Sequence, residues 1–263
     1  MYMYYEAQWS LYLFTVITMV IFFIGAYANI YLMRKGKAKS LMYTFSIGTM
    51  MQALVFKVIL QSKLFQQSIL RWFMHISIFW GFMGLLAHTI FLAYYSHFVS
   101  PESASAKFFF TPGSGGRLFL DFWGDFWGAL LLAGCLIAIF RRYITKTQQL
   151  DTILADSVAI WLLFFITATG FFCEAVRFVH LPPSAEYAYS FLGYPLSNIL
   201  LLSVPSDALK ALKYTDQVLI HLSIGLFLII YIPFSKMWHI FVSPIEVLLD
   251  ESEEHARRVA YEQ

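Results

Sequence analysis

WFMHISIFWGFMGLLAHTIFLAYYSH, residues 72–97, holds no Asp, Glu, Lys or Arg in 26 positions but carries His75, His88 and His97. A helix crosses a hydrocarbon core of about 30 Å with roughly 20 apolar residues, so this stretch reads as a membrane span. Imidazoles inside such a span are costly and call for a reason.

The rest of the chain follows the same pattern. Stretches 10–33, 119–140, 153–178 and 216–238 are also long and apolar enough to span, which predicts an all-α bundle of five transmembrane helices. Of the 263 residues, 59% are hydrophobic and 13% charged. With a mean hydropathy of +0.65 this disfavours a water-soluble domain. A net charge of +2 is too small to point to nucleic acid, so membrane lipid is the expected surrounding. The first apolar run follows no basic start and precedes no small-residue cleavage pattern, and reads as a retained span.

Charge sets the orientation. Residues 34–71 carry Arg34, Lys35, Lys37, Lys39, Lys57, Lys63 and Arg71 without an acid, and 141–146 carries Arg141, Arg142 and Lys146. Basic loops stay in the cytoplasm. The connections 98–118 and 179–215, rich in Pro, Ser, Gly and Tyr, then face outward, with the N-terminus outside and the C-terminus inside. Segment 42–60 places Ser46, Gln52 and Lys57 among its apolar residues, and an amphipathic helix on the inner surface fits it better than a sixth span. Residues 1–243 form the membrane domain, and 244–263, suddenly rich in charge, a cytoplasmic tail. The tandem DFWG at 121–128 puts Asp121 and Asp125 at a helix N-terminus, where acids are favoured.

Cys135 and Cys173 are far apart in apolar stretches without a CxxC, so this chain cannot supply an iron–sulfur or zinc site from its cysteines alone. Without a CxxCH, any haem is held noncovalently. Four histidines suit that task. With the second span running outward and the fifth inward, His75 is level with His239 near the cytoplasmic face, and His88 with His221 near the outer face. A six-coordinate haem iron takes one nitrogen above its ring and one below, so two antiparallel helices with imidazoles at two depths can hold two haems. The 13 residues from His75 to His88 rise about 20 Å and the 18 from His221 to His239 about 27 Å, a mismatch that tilt or a kink at Pro233 must absorb. Eighteen residues is also five whole turns, which predicts that His221 and His239 share a helix face. Gly81, Gly84, Gly124, Gly128, Gly170 and Gly225 offer room for a flat ring, or close helix packing. His97, His180 and His255 are expected to be non-ligands. The alternative is a non-redox anchor or transporter whose histidines pack or handle protons.

Three segments carry a family resemblance: RWFMHISIFWGF at 71–82, TGFFCEAVRF at 169–178 and YIPFSKMWHIFVSPI at 231–245. They resemble the dihaem cytochrome b membrane subunits typified by the gamma subunit of respiratory nitrate reductase. They are more similar still to the membrane subunits of heterodisulfide reductase and sulfite-reduction-associated complexes. The resemblance implies two b-type haems, with His75 and His239 as inner iron ligands and His88 and His221 as outer ones. It also implies electron exchange between a membrane quinone of menaquinol type and a cytoplasmic iron–sulfur subunit, in the cytoplasmic membrane of a prokaryote and alongside further membrane or periplasmic subunits. Such a chain is the quinol-oxidising or quinone-reducing relay of a larger oxidoreductase and has no terminal substrate site.

Haem propionates need cationic partners. Arg71 and Lys236 are placed for the inner haem, Arg117 and Arg177 for the outer. Quinol oxidation releases two protons for every two electrons and needs an acceptor beside a haem. Glu174, one turn before Arg177, is the expected acceptor, with His180 or His97 sharing the role.

Overall fold

The computed structural model describes residues 9–36, 46–145, 154–182 and 184–261. Among these the chain is helical and contains five helices long and apolar enough to cross a membrane, at Leu11–Met33, Ile69–Phe98, Gly115–Ile144, Leu154–Val179 and Tyr214–Phe234. The chain is a multi-pass membrane protein. Residues 42–45 of the expected surface helix, together with Lys37, Lys39 and Lys146, lie outside the described residues.

The spans belong to α1 (Trp9–Gly36), α4 (Ile69–Phe98), α6 (Gly115–Ile139, extended by a π-helical turn at Phe140–Ile144), α7 (Leu154–Val179) and α10 (Tyr214–Tyr231). Serines start two of them: Ser68 Oγ accepts from Arg71 N at 3.4 Å and Ser114 Oγ from Arg117 N at 3.2 Å, filling donors that a helix N-terminus leaves open. Neighbours pack in the order α4, α6, α7, α10, α1. In lipid there is little hydrophobic drive between helices, so close packing depends on small residues. Gly81 lies against the Leu131 backbone, Gly84 against the Trp127 ring and Gly134 against Ile78, which brings α4 and α6 together. Gly81 and Gly84 therefore serve packing. Phe82, Leu131, Cys135, Leu163, Leu228, Ile232 and Met237 form the buried core.

The two histidine-bearing spans, α4 and α10, are not packed into one another: their contact is slight at most. The ends of the bundle differ accordingly. We call the end where α4 begins proximal and the end where it finishes distal.

At the proximal end lie α2 (Ile47–Ala53), continued by a π-helical segment at Leu54–Ile59, then α3 (Ser62–Gln67) and the last helix, α11 (His239–Tyr261). α11 packs on α2 and its π-helical continuation, and Lys57 reaches Glu251 across that contact. At the distal end lie α5 (Ala104–Phe110), a short 3-10 turn at Ala185–Tyr189, α8 (Gly193–Ser203), packed along α7, and α9 (Ser206–Ala211).

Two expectations need correction. His221 and His239 do not share one continuous helix. α10 ends at Tyr231, short 3-10 turns follow at Ile232–Phe234 and Lys236–Trp238, and Ser235 between them is extended. Pro233 has no N–H to continue the ladder. Asn29 of α1 donates to the Pro233 carbonyl at 2.7 Å, satisfying an acceptor that the break exposes. Asp121 and Asp125 are likewise not at a helix N-terminus: α6 starts at Gly115, so both lie in its interior.

Candidate functional site

The four histidines fall at two levels. At the proximal end the His75 and His239 rings face each other with centres 6.1 Å apart and planes at 50°. The break after Tyr231 makes His239 the first residue of α11, aimed back toward α4. His75 Nδ1 is 2.7 Å from Gln61 Oε1 and His239 Nδ1 is 2.6 Å from the Lys236 carbonyl. Both partners are acceptors, so each ring carries its proton on Nδ1 and keeps the Nε2 lone pair free.

At the distal level, His221 Nδ1 is 3.1 Å from Thr169 Oγ1, and that hydroxyl is committed as a donor to the Phe165 and Ile166 carbonyls. His221 is therefore the donor, and its Nε2 is free as well. A Cβ on Gly124 would sit 3.0 Å from the His88 ring, and one on Gly170 3.3 Å from the His221 ring. Of the glycines expected to make room, these two adjoin the imidazoles. Gly128 meets Phe171 and Gly225 meets Ile166. No ring contact joins His88 to His221 among the described residues.

A cavity of about 730 Å³ opens beside His75 and His239, bounded by Phe79, Arg142, Lys236 and Trp238 among others. A smaller one of about 240 Å³ shares the two histidines and adds Lys57, Gln61 and Lys63. Two donors on the wall of the larger cavity are buried and unpartnered among the described residues, Arg142 Nη1 and Trp238 Nε1. Lys236 lines it too and pairs with Asp156 at 3.0 Å, and Asp156 also meets Arg142 at 3.5 Å. Arg71, one turn before His75, lines neither cavity.

The other expected residues gather at the distal end. Arg117 grips Asp121 with two contacts, at 3.0 and 2.7 Å. Arg177 bridges Asp121 at 3.5 Å and Glu174 at 3.2 Å. Glu174 accepts from Ser190 at 2.9 Å and lies within hydrogen-bonding reach of Asp125. Asp125, 1% exposed, accepts from the backbone N–H groups of Leu192 and Gly193, which open α8. Its carboxylate thus serves as the anion favoured at a helix N-terminus, contributed by a different helix. A side chain on Gly193 would strike the Glu174 carboxyl. His97 bonds its own helix at Ala93, and His180 bonds the Leu212 carbonyl, apart from both histidine pairs.

Sequence reasoning missed Asp125, Arg142, Trp238, Thr169 and Gln61. The first had a signal: Asp121 and Asp125, four apart in an apolar stretch, are intramembrane acids on one helix face, as are Glu174 and Arg177 on α7. The others had none, because a lone Gln, Thr or Trp acquires its meaning from tertiary contact.

Residues 51–191 match the family model of HdrE, the membrane component of dihydromethanophenazine:CoB–CoM heterodisulfide reductase. The chain is 29% identical over 205 residues to the HdrE protein of Methanosarcina acetivorans, covering 78% of this chain and 67% of the relative. It is 27% identical over 205 residues to the HdrE protein of Methanosarcina mazei, covering 78% and 69%. It is also 29% identical over 210 residues to an EtfAB:quinone oxidoreductase from Syntrophomonas wolfei, covering 76% of this chain but only 28% of that longer protein. No solved structure matches. With more than half of its residues matched, and with the five-span helical bundle in place, this chain belongs to the HdrE family of heterodisulfide reductase proteins.

Proposed function

We propose that this chain is the membrane cytochrome b subunit of a respiratory oxidoreductase, passing electrons between a quinone of menaquinol type and a cytoplasmic iron–sulfur protein through two noncovalent b haems. The observation that carries this reading is the His75–His239 pair. A metal ion held by two imidazole nitrogens at about 2 Å each leaves roughly 6 Å between ring centres. The observed separation is 6.1 Å, beside a cavity of about 730 Å³. Ligating histidines usually give their second N–H to a carbonyl, carboxylate or water, and three of these four have that N–H engaged by an oxygen. The unpartnered Arg142 and Trp238 donors suit an anionic group in the cavity.

The residues present thus fit the group. His75 and His239 would hold the haem at the cytoplasmic level, with Arg142 and Lys236 toward its propionates, and Arg71 serving near the membrane surface. His88 and His221 would hold the outer one, with Arg117 and Arg177 toward its propionates. Bound there, each supplies a reversible one-electron carrier.

Glu174 receives a proton from quinol at the distal end. Arg177 and Ser190 hold its carboxyl in place, and Gly193 leaves it room. The quinone reading is supported by the name of the Syntrophomonas relative, and the iron–sulfur partner by the heterodisulfide reductase relatives. The positive-inside rule puts the proximal end in the cytoplasm. There α11 and the basic segment before α4 form the docking face. The terminal substrate is reduced or oxidised on other subunits.

The test is haem content. Purified wild type should show two b haems per chain by pyridine haemochromogen, and His75→Ala and His221→Ala one each. Variants that insert normally and retain both would overturn the proposal.

A further inference from the structure

The corner before α4 is built around one unusual residue. Gln61 has φ 50° and ψ 45°, and it is the one non-glycine residue with positive φ among the described residues. This left-handed conformation is uncommon outside Gly, Asn and Asp, and it persists where the surroundings hold it. Here they do. The π-helical segment ends at Ile59, and α4 takes hold of three consecutive residues. Trp80 Nε1 donates to the Ile59 carbonyl at 3.2 Å, Trp72 Nε1 to the Leu60 carbonyl at 2.8 Å, and His75 Nδ1 to Gln61 Oε1 at 2.7 Å. Positions 72, 75 and 80 share one face of α4. Behind the corner, the Gln61 carbonyl receives the Leu64 and Phe65 N–H groups at 2.9 and 3.2 Å, starting α3.

We infer that Gln61 is the positioning residue of the inner haem site: its carboxamide fixes the proton of His75 on Nδ1, aims Nε2 at the cavity shared with His239, and sets the donor strength of that imidazole. The inference rests on the haem reading above. The Gln61 carboxamide bonds His75, and acts through it. A carboxamide oxygen is a weaker acceptor than a carboxylate, so the residue type at 61 sets how far the Nδ1 proton is drawn away and how basic Nε2 becomes. A more basic ligand favours ferric iron. The left-handed backbone is what turns the side chain back toward α4, so the strained residue and the aimed residue are the same one.

Two substitutions in the full chain, purified with its partners, test this by redox titration of the b-haem absorbance together with haem content. Gln61→Glu keeps the reach and strengthens the acceptor. It should lower the midpoint potential of one haem and leave the other unmoved. Gln61→Asn tolerates the left-handed backbone but is one methylene too short. It should raise that same haem's potential or release that haem. Opposite shifts confined to one haem support the inference, as does loss of one haem from Gln61→Asn while Gln61→Glu keeps two. Wild-type potentials and content in both variants, or equal shifts of both haems, would overturn it. A wild-type protein without b-haem absorbance would overturn the haem reading itself, an outcome distinct from unmoved potentials.

Discussion

At the proximal end, His75 and His239 look across a cavity of about 730 Å³ whose wall holds two unpartnered donors. At the distal end, His88 and His221 lie against Gly124 and Gly170, and five charged side chains, Arg117, Asp121, Asp125, Glu174 and Arg177, lock together beside them. The same four-histidine pattern is thus set in a void at one end and beside a charged plug at the other. The difference teaches how a helical bundle places polar chemistry in lipid. Where charges are satisfied by each other the helices close around them. Where they await a partner, the helices stand apart, and the backbone breaks at Pro233 and turns sharply at Gln61 to make the space.

The sharpest way to break this contrast is to remove the centre of the plug. Asp125→Ala takes the acceptor from the N–H groups of Leu192 and Gly193 and leaves them buried beside Glu174. An unsatisfied buried donor costs about 1–3 kcal/mol, so the variant should lose about 2–4 kcal/mol. Thermal unfolding in detergent micelles would show it, and Asp125→Asn, which keeps a carbonyl oxygen, should lose less. No measurable loss would mean that the distal charges do not hold α8 in place.

Glu174→Gln ranks next and separates chemistry from structure. The amide fits the same space against Ser190 but accepts no proton from quinol. Loss of a positioned proton acceptor typically slows a step by at least about 100-fold, or about 2.7 kcal/mol in barrier. Quinol-driven reduction of the b haems, followed by stopped-flow absorbance, should slow by that order while dithionite-reduced spectra stay unchanged. Undiminished rates would remove Glu174 from the proton path.

Much of the fold was legible in the sequence, and for a physical reason. Lipid demands long uncharged helices, so each span from Leu11 to Phe234 announces itself by composition, and the expected limits came within a few residues of those observed. The short helix before α4 was also legible, because Lys57 and Gln52 interrupt an apolar face. The pairing of His75 with His239 followed from antiparallel direction alone. The break between His221 and His239 was underread: five whole turns suggested a common face, but Pro233 removes a hydrogen bond and Ser235 turns the chain, so depth was inferred correctly and continuity was not. Asp125 escaped because its partners, two N–H groups 67 and 68 residues away, belong to a loop that composition marks only as polar.

Gly124→Ala probes whether the distal imidazoles are as tightly held as the contrast implies. The new methyl would lie 3.0 Å from the His88 ring, closer than ordinary contact, with the ring already against α6. Overpacking of this kind costs about 1–3 kcal/mol. The expected result is partial loss of one b haem with the other retained, read from haem content. The equivalent crowding at the proximal end has a cavity to relax into, so Ile78→Phe, on the cavity wall, should leave haem content closer to wild type.

The smallest effect concerns how α11 is held to the proximal end. Lys57 and Glu251 pair across the contact between the π-helical segment and α11, with side chains 31% and 12% exposed. Ser252 and Ala256 of the same helix are buried, so apolar contact and backbone packing carry most of the attachment. Partly exposed ion pairs contribute about 1 kcal/mol or less and weaken with salt. Glu251→Gln should therefore lower the melting temperature slightly, with the difference fading as ionic strength rises. Because Lys57 borders the smaller cavity near Gln61, the variant also frees a cation beside the inner site, and retention of the iron–sulfur partner on purification should fall if α11 is the docking helix. Unchanged retention alongside a small salt-sensitive destabilisation would assign the ion pair to holding α11 in place and move the docking surface elsewhere on the proximal face.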